Sequence, residues 1–366
     1  FGEDNLLELF HGPTLAFKDI AMQVIGNMYE KILEKNKLKI NIVVATSGDT
    51  GAAAISAIKD RKNMKIFVLH PEDKISEVQR KLMTTIDSNN VFNIALKGNF
   101  DDCQQFVKLM FSDKDFSKSI NMSGVNSINW SRIVIQIVYY FFSYFRVAKE
   151  NEKINFCVPT GNFGDIYAGF IAKKMGLPIN KLIIATNKND ILKRVTNSGN
   201  YKPSKAEHTV SPSMDIQVAS NFERLIFDIT NSDSKKTLKH MEDLKESGEF
   251  QLKKEELENL KKSFCSESLT ENETQQTINE TYKNKGILID PHTAVAVGVV
   301  KKVAMDTKTV ILATAHPSKF SDVVKKTTNI EPELPENLKD VLFKKEQYKK
   351  LPKDLKKVKN YILEKI

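Results

Sequence analysis

The sequence predicts an α/β protein of two domains, each an open twisted sheet flanked by helices. Three observations carry this. β-branched apolar runs, such as Ile40–Ala45, recur along the chain, and several are followed by a small polar loop and a segment of helical period. The 366 residues are enough for two such domains around a substantial core. A hydrophobic share of 41% with 28% charged residues is the balance of a globular enzyme, not of a disordered chain.

The chain opens on Phe1 and not on methionine, which reads as a fragment, a processed product or a shortened form. His11-Gly12-Pro13-Thr14-Leu15-Ala16-Phe17-Lys18-Asp19 then begins on a Gly-Pro turn and ends on a lysine in apolar company. Desolvation disfavours an ammonium there, and the neutral amine that results can form a Schiff base with an aldehyde. The plainer reading is a lysine whose stem lies on apolar surface and whose head is in water. Ile20, Val24, Ile25, Met28 and Ile32 continue at helical spacing to Asn36. Ile40–Ala45 reads as a buried parallel strand, ending in Thr46-Ser47-Gly48-Asp49-Thr50-Gly51 with a helix over residues 52–59. Strand, small polar loop and helix together favour an anion at the helix N-terminus, with Ser47 and Thr50 as hydroxyl donors.

The alternation continues with a strand over residues 65–69 and a capping box, Ser76 to Gln79, opening a helix to Ile86. Val91–Leu96 is a strand, and residues 101–111 a helix with Phe106, Val107 and Met110 inward. Asn126-Ser127-Ile128-Asn129-Trp130-Ser131-Arg132 leads into the apolar run 133–145. The cluster suits a phosphate through Asn126, Ser131 and Arg132, or simple N-capping by Asn126 or Asn129. The apolar run is too short for a bilayer and reads as a buried helix. Residues 154–158 form the next strand and enter Pro159-Thr160-Gly161-Asn162-Phe163-Gly164-Asp165, then a helix to Met175. This is the best phosphate cradle in the chain; it is neither a Walker loop nor GxGxxG. A strand over residues 182–186 follows.

From 201 to 286 the pattern turns to loop and charged helical segments that look peripheral. Ile287-Leu288-Ile289-Asp290-Pro291-His292-Thr293 then leads into an apolar helix, and Thr309–Ala313 is a strand ending in Thr314-Ala315-His316-Pro317-Ser318-Lys319-Phe320. Ligands of open α/β sheets sit beyond the carboxyl ends of strands, so the loops at Thr46, Pro159 and Thr314 can line one crevice. The tail beyond Pro332 is basic and helical.

The net charge of +9 comes from lysines spread along the chain, which favours anionic substrates over a nucleic-acid footprint. Cys103, Cys157 and Cys265 are far apart, without zinc or disulfide spacing, and the six histidines form no ligand-like cluster. The expectation is a reduced compartment, no metal and no membrane span.

Four stretches together resemble the threonine synthase family, in its longer bacterial and fungal branch. They are Glu8 to Asp19, Thr46 to Gly51, Gly161 to Asp165, and Thr314 to Phe320, and they occur in the family's order. The resemblance implies a fold-type II pyridoxal 5′-phosphate enzyme, with two open twisted sheets and the active site in the cleft between domains. It implies a large domain of residues 1–40 and 136–366, a smaller one of 41–135, and a peripheral helical insertion at 201–286. It further implies conversion of O-phospho-L-homoserine and water to L-threonine and phosphate. Lys18 would carry the cofactor and shuttle protons. Gly161, Asn162, Phe163, Gly164 and Asp165 would bind its phosphate, and Thr314 would face its pyridine nitrogen. Ser47, Gly48, Asp49 and Thr50 would receive the substrate carboxylate, with Asp49 near the ring oxygen where many relatives carry asparagine. Asn126, Ser131 and Arg132 are the candidates for the substrate phosphate.

The family usually carries on the order of a hundred further residues before the lysine motif. A cytoplasmic monomer or homodimer without nucleic-acid or membrane partners is expected. Two other readings stand beside this one. They are a phospho-lyase releasing 2-oxobutyrate, and a basic binding protein that has kept the fold without the chemistry.

Overall fold

A computed structural model describes residues 5–72 and 75–366. The chain forms two compact units, one running up to Leu9 and over Arg132–Pro332, the other over Phe10–Ser131 and Glu333–Ile366.

The first unit is built on a five-stranded sheet. Its order is Asn5–Glu8, Thr309–Ala313, Ile154–Pro159, Ile179–Thr186 and Phe264–Ser268, all parallel. Parallel strands buried on both faces need apolar residues in both directions, which the three inner runs, Thr309–Ala313, Ile154–Pro159 and Ile179–Thr186, supply. On one face Cys157, Ile183 and Ile311 pack with Val295 and Val299 of the Pro291–Val303 helix. Elsewhere in the unit Tyr140 of the Trp130–Val147 helix meets Phe156, with ring centroids 5.0 Å apart. The loops after Pro159 and Ala313 both leave carboxyl ends of strands, as the sequence predicts.

The second unit has its own five-stranded parallel sheet, ordered Lys349–Leu351, Val91–Leu96, Met64–Pro71, Ile40–Ala45 and Met122–Ser123. Alternate residues feed two cores. Ile42, Val44, Ile66 and Val68 pack under the Asp49–Ile58 helix, and Val43, Phe67, Leu69 and Ile94 pack with Phe106 and Met110. Most predicted strands and helices of both sheets are found within a few residues of their expected bounds.

The boundaries differ from the expected ones. Residues 10–40 belong with the Ile40–Ala45 sheet, because the Lys18–Asn36 helix packs on the Asp49–Ile58 helix, with Arg61 reaching back to Asn27 at 2.9 Å. The tail belongs there too: Lys349–Leu351 extends the sheet, and Val358 and Ile362 of the Leu355–Lys365 helix enter its core. The 201–286 region is not wholly peripheral, since Phe264–Ser268 is an edge strand of the larger sheet. With only Phe264 and Cys265 apolar, that strand has little sequence signal.

The helix over the 133–145 run forms but is not buried all round. Ile133, Ile137, Tyr140 and Tyr144 face inward, while Val134, Val138, Phe142 and Phe145 are exposed, Val138 to 63%. The Lys18–Asn36 helix likewise buries Ala21, Met22, Ile25 and Leu33 and leaves Val24, Met28 and Ile32 exposed. Among the described residues no helix is long and apolar enough to cross a membrane.

Candidate active site

Lys18 is the first residue of the Lys18–Asn36 helix, and the turn before it is tightly tied. Leu15 sits at φ 58°, in the left-handed region. Thr14 donates from its backbone N–H and its hydroxyl to the two carboxylate oxygens of Asp19, at 2.8 and 2.6 Å. With Leu15 and Ala16 buried, Lys18 is held at 9% exposure. Its Nζ donates to Oδ2 of Asp49 at 3.3 Å, and Gln79 Nε2 donates to the other oxygen at 2.9 Å. Burial alone favours a neutral amine, but this carboxylate favours the ammonium. The lysine is therefore buried as half of an ion pair, and Asp49 has a definite task beside it.

The Thr46–Gly51 loop spends part of its donor set on itself. Thr46 Oγ1 accepts from the N–H groups of Gly48 and Gly51, at 3.0 and 2.9 Å. Gly48 lies at φ 138°, with Gln79 where a Cβ would go, 2.9 Å away. Ser47 and Thr50 are half-buried, and their amides and hydroxyls make no hydrogen bond among the described residues. They are the donors this loop retains at the start of the Asp49–Ile58 helix, where the dipole favours an anion.

The Gly161–Asp165 loop is the more open anion cradle. The N–H groups of Gly161, Asn162, Phe163 and Gly164 make no hydrogen bond among the described residues, and they open the Gly164–Lys174 helix. Phe163 adopts φ 66°, the left-handed turn that gathers successive N–H groups into an anion-binding nest. A non-glycine residue holds that conformation because its ring is locked. Phe163 packs edge-on against Phe222 at 5.2 Å and against Phe264 at 5.7 Å. Asn162 is fixed from the side, its carbonyl accepting from Asn221 N–H at 3.1 Å and its amide oxygen from Ser220 at 3.2 Å.

Asp165 offers a phosphate only its backbone. Its carboxylate accepts from the hydroxyls of Tyr139 and Tyr140, and Tyr140 also donates to its carbonyl at 2.9 Å. Burial, reinforced by the Asp165 charge, pushes both tyrosine hydroxyls well above their usual range. Arg132 lies in the same interior, where burial lowers its pKa to about 10 against the pull of Tyr139 and Asp165. The expectation of an arginine presented at a helix start thus meets a buried guanidinium. Asn126 is exposed and Ser131 half-buried. The capping alternative is what the structure displays, with Asn129 Oδ1 accepting the Ser131 N–H at 3.0 Å.

Thr314 follows the Thr309–Ala313 strand, 5% exposed, and its hydroxyl makes no hydrogen bond among the described residues. Gln79 was read from the sequence only as a capping-box residue, and Ser220, Asn221, Tyr139 and Tyr140 were not singled out as site residues. They come from remote segments and act on the motifs through one or two hydrogen bonds each, which leave no local pattern.

Comparison with known proteins agrees with this geometry. The family model described as pyridoxal-phosphate dependent enzyme matches residues 6–315, and that described as threonine synthase, C-terminal, matches residues 293–362. Threonine synthase of Pseudomonas aeruginosa is 44% identical, over 99% of this chain and 78% of its own length. That of Saccharomyces cerevisiae is 43% identical with the same coverage. The crystal structure of pyridoxal-phosphate-bound threonine synthase from Brucella melitensis superposes with a TM-score of 0.95 at 47% identity, covering 98% of this chain and 78% of that one. The residues present fit such a cofactor. A buried amine answers an aldehyde, and an amide nest at a helix N-terminus answers a phosphate. The nest also has no room for a side chain at Gly161, where a Cβ would lie 2.6 Å from the Ser213 carbonyl oxygen. The chain belongs to the threonine synthase family of pyridoxal-phosphate-dependent lyases.

Proposed function

We infer that this chain converts O-phospho-L-homoserine and water to L-threonine and phosphate, and that Lys18 carries the cofactor covalently. The observation that carries the reading is the buried Lys18–Asp49 pair in the family's lysine motif. Bound pyridoxal phosphate supplies an electron sink that stabilises negative charge on the substrate carbons. The protein's residues do the rest. The amides of Gly161 to Asp165 would hold the cofactor phosphate, and the Thr314 hydroxyl would serve the pyridine nitrogen without forcing a proton onto it. Ser47 and Thr50 orient the substrate carboxylate, and Gly48, at φ 138°, shapes the turn that presents them. Asp49 steadies Nζ of Lys18, which moves protons at the substrate α- and β-carbons as phosphate leaves the γ-carbon.

Asn126, Ser131 and Arg132 hold different places in this reading. Arg132 is buried, Ser131 half-buried and Asn126 exposed, and the three stand as the proposed holders of the substrate phosphate, aided by the general positive field. A cytoplasmic enzyme suits the free thiols, and a monomer or homodimer without nucleic-acid partners completes the proposal. Burial pushes Cys103 to about 12 and Cys265 to about 11, which keeps both unreactive.

Incubation with O-phosphohomoserine and pyridoxal phosphate tests the reading. L-Threonine and phosphate should appear in equal amounts. Release of 2-oxobutyrate with ammonia instead would assign the phospho-lyase reading, and no phosphate release would leave the chain a binding protein.

A further inference from the structure

The Asp290-Pro291-His292-Thr293 motif has no part in the function argued so far, yet it is buried and fully engaged. Asp290 caps the Pro291–Val303 helix, its Oδ2 accepting the His292 N–H at 2.9 Å and its Oδ1 the Thr293 N–H at 3.1 Å. The His292 ring lies back on the same carboxylate, Nδ1 to Oδ2 at 2.7 Å. A carboxylate only accepts, so Nδ1 carries the proton. The other ring nitrogen receives the backbone N–H of Ser213 at 3.2 Å, so Nε2 is bare. Both bonds fix one tautomer of a neutral imidazole, and the ring is seated against Phe320 at 4.9 Å.

Ser213 belongs to a tight turn, Pro212–Met214, that is clamped on its other side as well. Asp215 accepts from the amides of Asn187 and Asn189 at 2.9 and 3.1 Å, and Asn187 also donates to Ser211 Oγ at 2.9 Å. The carbonyl oxygen of Ser213 is the atom that lies where a Cβ of Gly161 would be, 2.6 Å away. The path from Asp290 to His292, Ser213 and Gly161 is thus continuous, two hydrogen bonds and one backbone contact long. It ends on the first residue of the amide nest.

We propose that His292 is a positioning residue for the cofactor's phosphate, acting through the Ser213 turn on Gly161; this rests on the reading of residues 161–165 as the phosphate loop. In this role the imidazole acts through the turn and not on the ligand directly. It sets where the Pro212–Met214 turn stands, and the turn sets the back wall of the nest. Removing the acceptor at Nε2 strands a Ser213 N–H and frees the turn. Glutamine can place an oxygen near the Nε2 position and so restore the bond.

The test compares pyridoxal phosphate with pyridoxal, which shares the aldehyde and lacks the phosphate. Apoprotein is titrated with each, and the ratio of the two affinities is the readout. Wild type should prefer pyridoxal phosphate strongly. His292→Phe should cut that preference roughly ten-fold, the scale of one buried hydrogen bond, with pyridoxal affinity unchanged. His292→Gln should regain most of it. Equal weakening of both ligands, or an unchanged ratio, overturns the proposal. If wild type itself shows no preference, the phosphate-loop reading fails instead, which separates the two claims. Nitrogen NMR of the wild-type apoprotein keeps the proposal testable should the phenylalanine variant not fold. His292 should appear as the neutral tautomer protonated at Nδ1, and an Nε2-protonated ring overturns the proposal.

Discussion

Lys18 shows what a residue can and cannot announce in sequence. Its turn, its helix and its apolar neighbours are local, so its burial was legible. The carboxylate that meets it is 31 positions away and the amide that holds that carboxylate a further 30, so the ion pair was not. Gly161 is the sharpest single-residue test of the cradle. Gly161→Ala drives a methyl into the Ser213 carbonyl, and should weaken pyridoxal phosphate binding with little effect on pyridoxal, read by titration. His70 makes a second prediction. Burial holds its imidazole below the ordinary 6.5, against the opposing pull of the Pro71 carbonyl. As pH falls through 6.5 the unfolded chain takes up a proton that the folded imidazole still refuses, so acid favours unfolding. Urea midpoints should decline from about pH 6.5 downward and level off below the folded pKa, and His70→Gln should flatten part of that decline.

Helices and strands were legible where their period was strong and their ends carried caps. Ser76 stands at a helix start as its capping box predicts, accepting the Gln79 N–H, and Asp290 caps the Pro291–Val303 helix in the same way. Which face of a helix is buried was harder to read. In the 133–145 run almost every position is apolar, so periodicity gave no orientation. Tyr139 and Tyr140 reaching Asp165 decide it instead. Paired substitutions check the observed face. Ile133→Ala, at a fully buried position, should cost about 2–5 kcal/mol by chemical denaturation. Val138→Ser, on the exposed side, should change stability by no more than about 0.5 kcal/mol. Similar costs at both sites would contradict the assigned face.

At the scale of the whole chain, the strand–loop–helix alternation gave the fold class, and the four motifs in order gave the family. The division into units was not legible, because it depends on which sheet a distant segment joins. The tail is the clearest example. Its lysine runs read as solvated helix faces of the larger domain, yet Lys349–Leu351 pairs with Val91–Leu96, and Ile362 is fully buried. Ile362→Ala should therefore cost about 2–5 kcal/mol, whereas a position on a solvated face would show no change in the denaturation midpoint.

The account rests on Lys18 as the covalent anchor of the cofactor, and peptide mapping after borohydride reduction of the pyridoxal-phosphate-loaded protein tests it most directly. The pyridoxyl label should fall on the peptide carrying Lys18 and be lost from that peptide in Lys18→Ala, with the variant still folded by circular dichroism. A label on another lysine, or equal labelling of both proteins, would contradict the account.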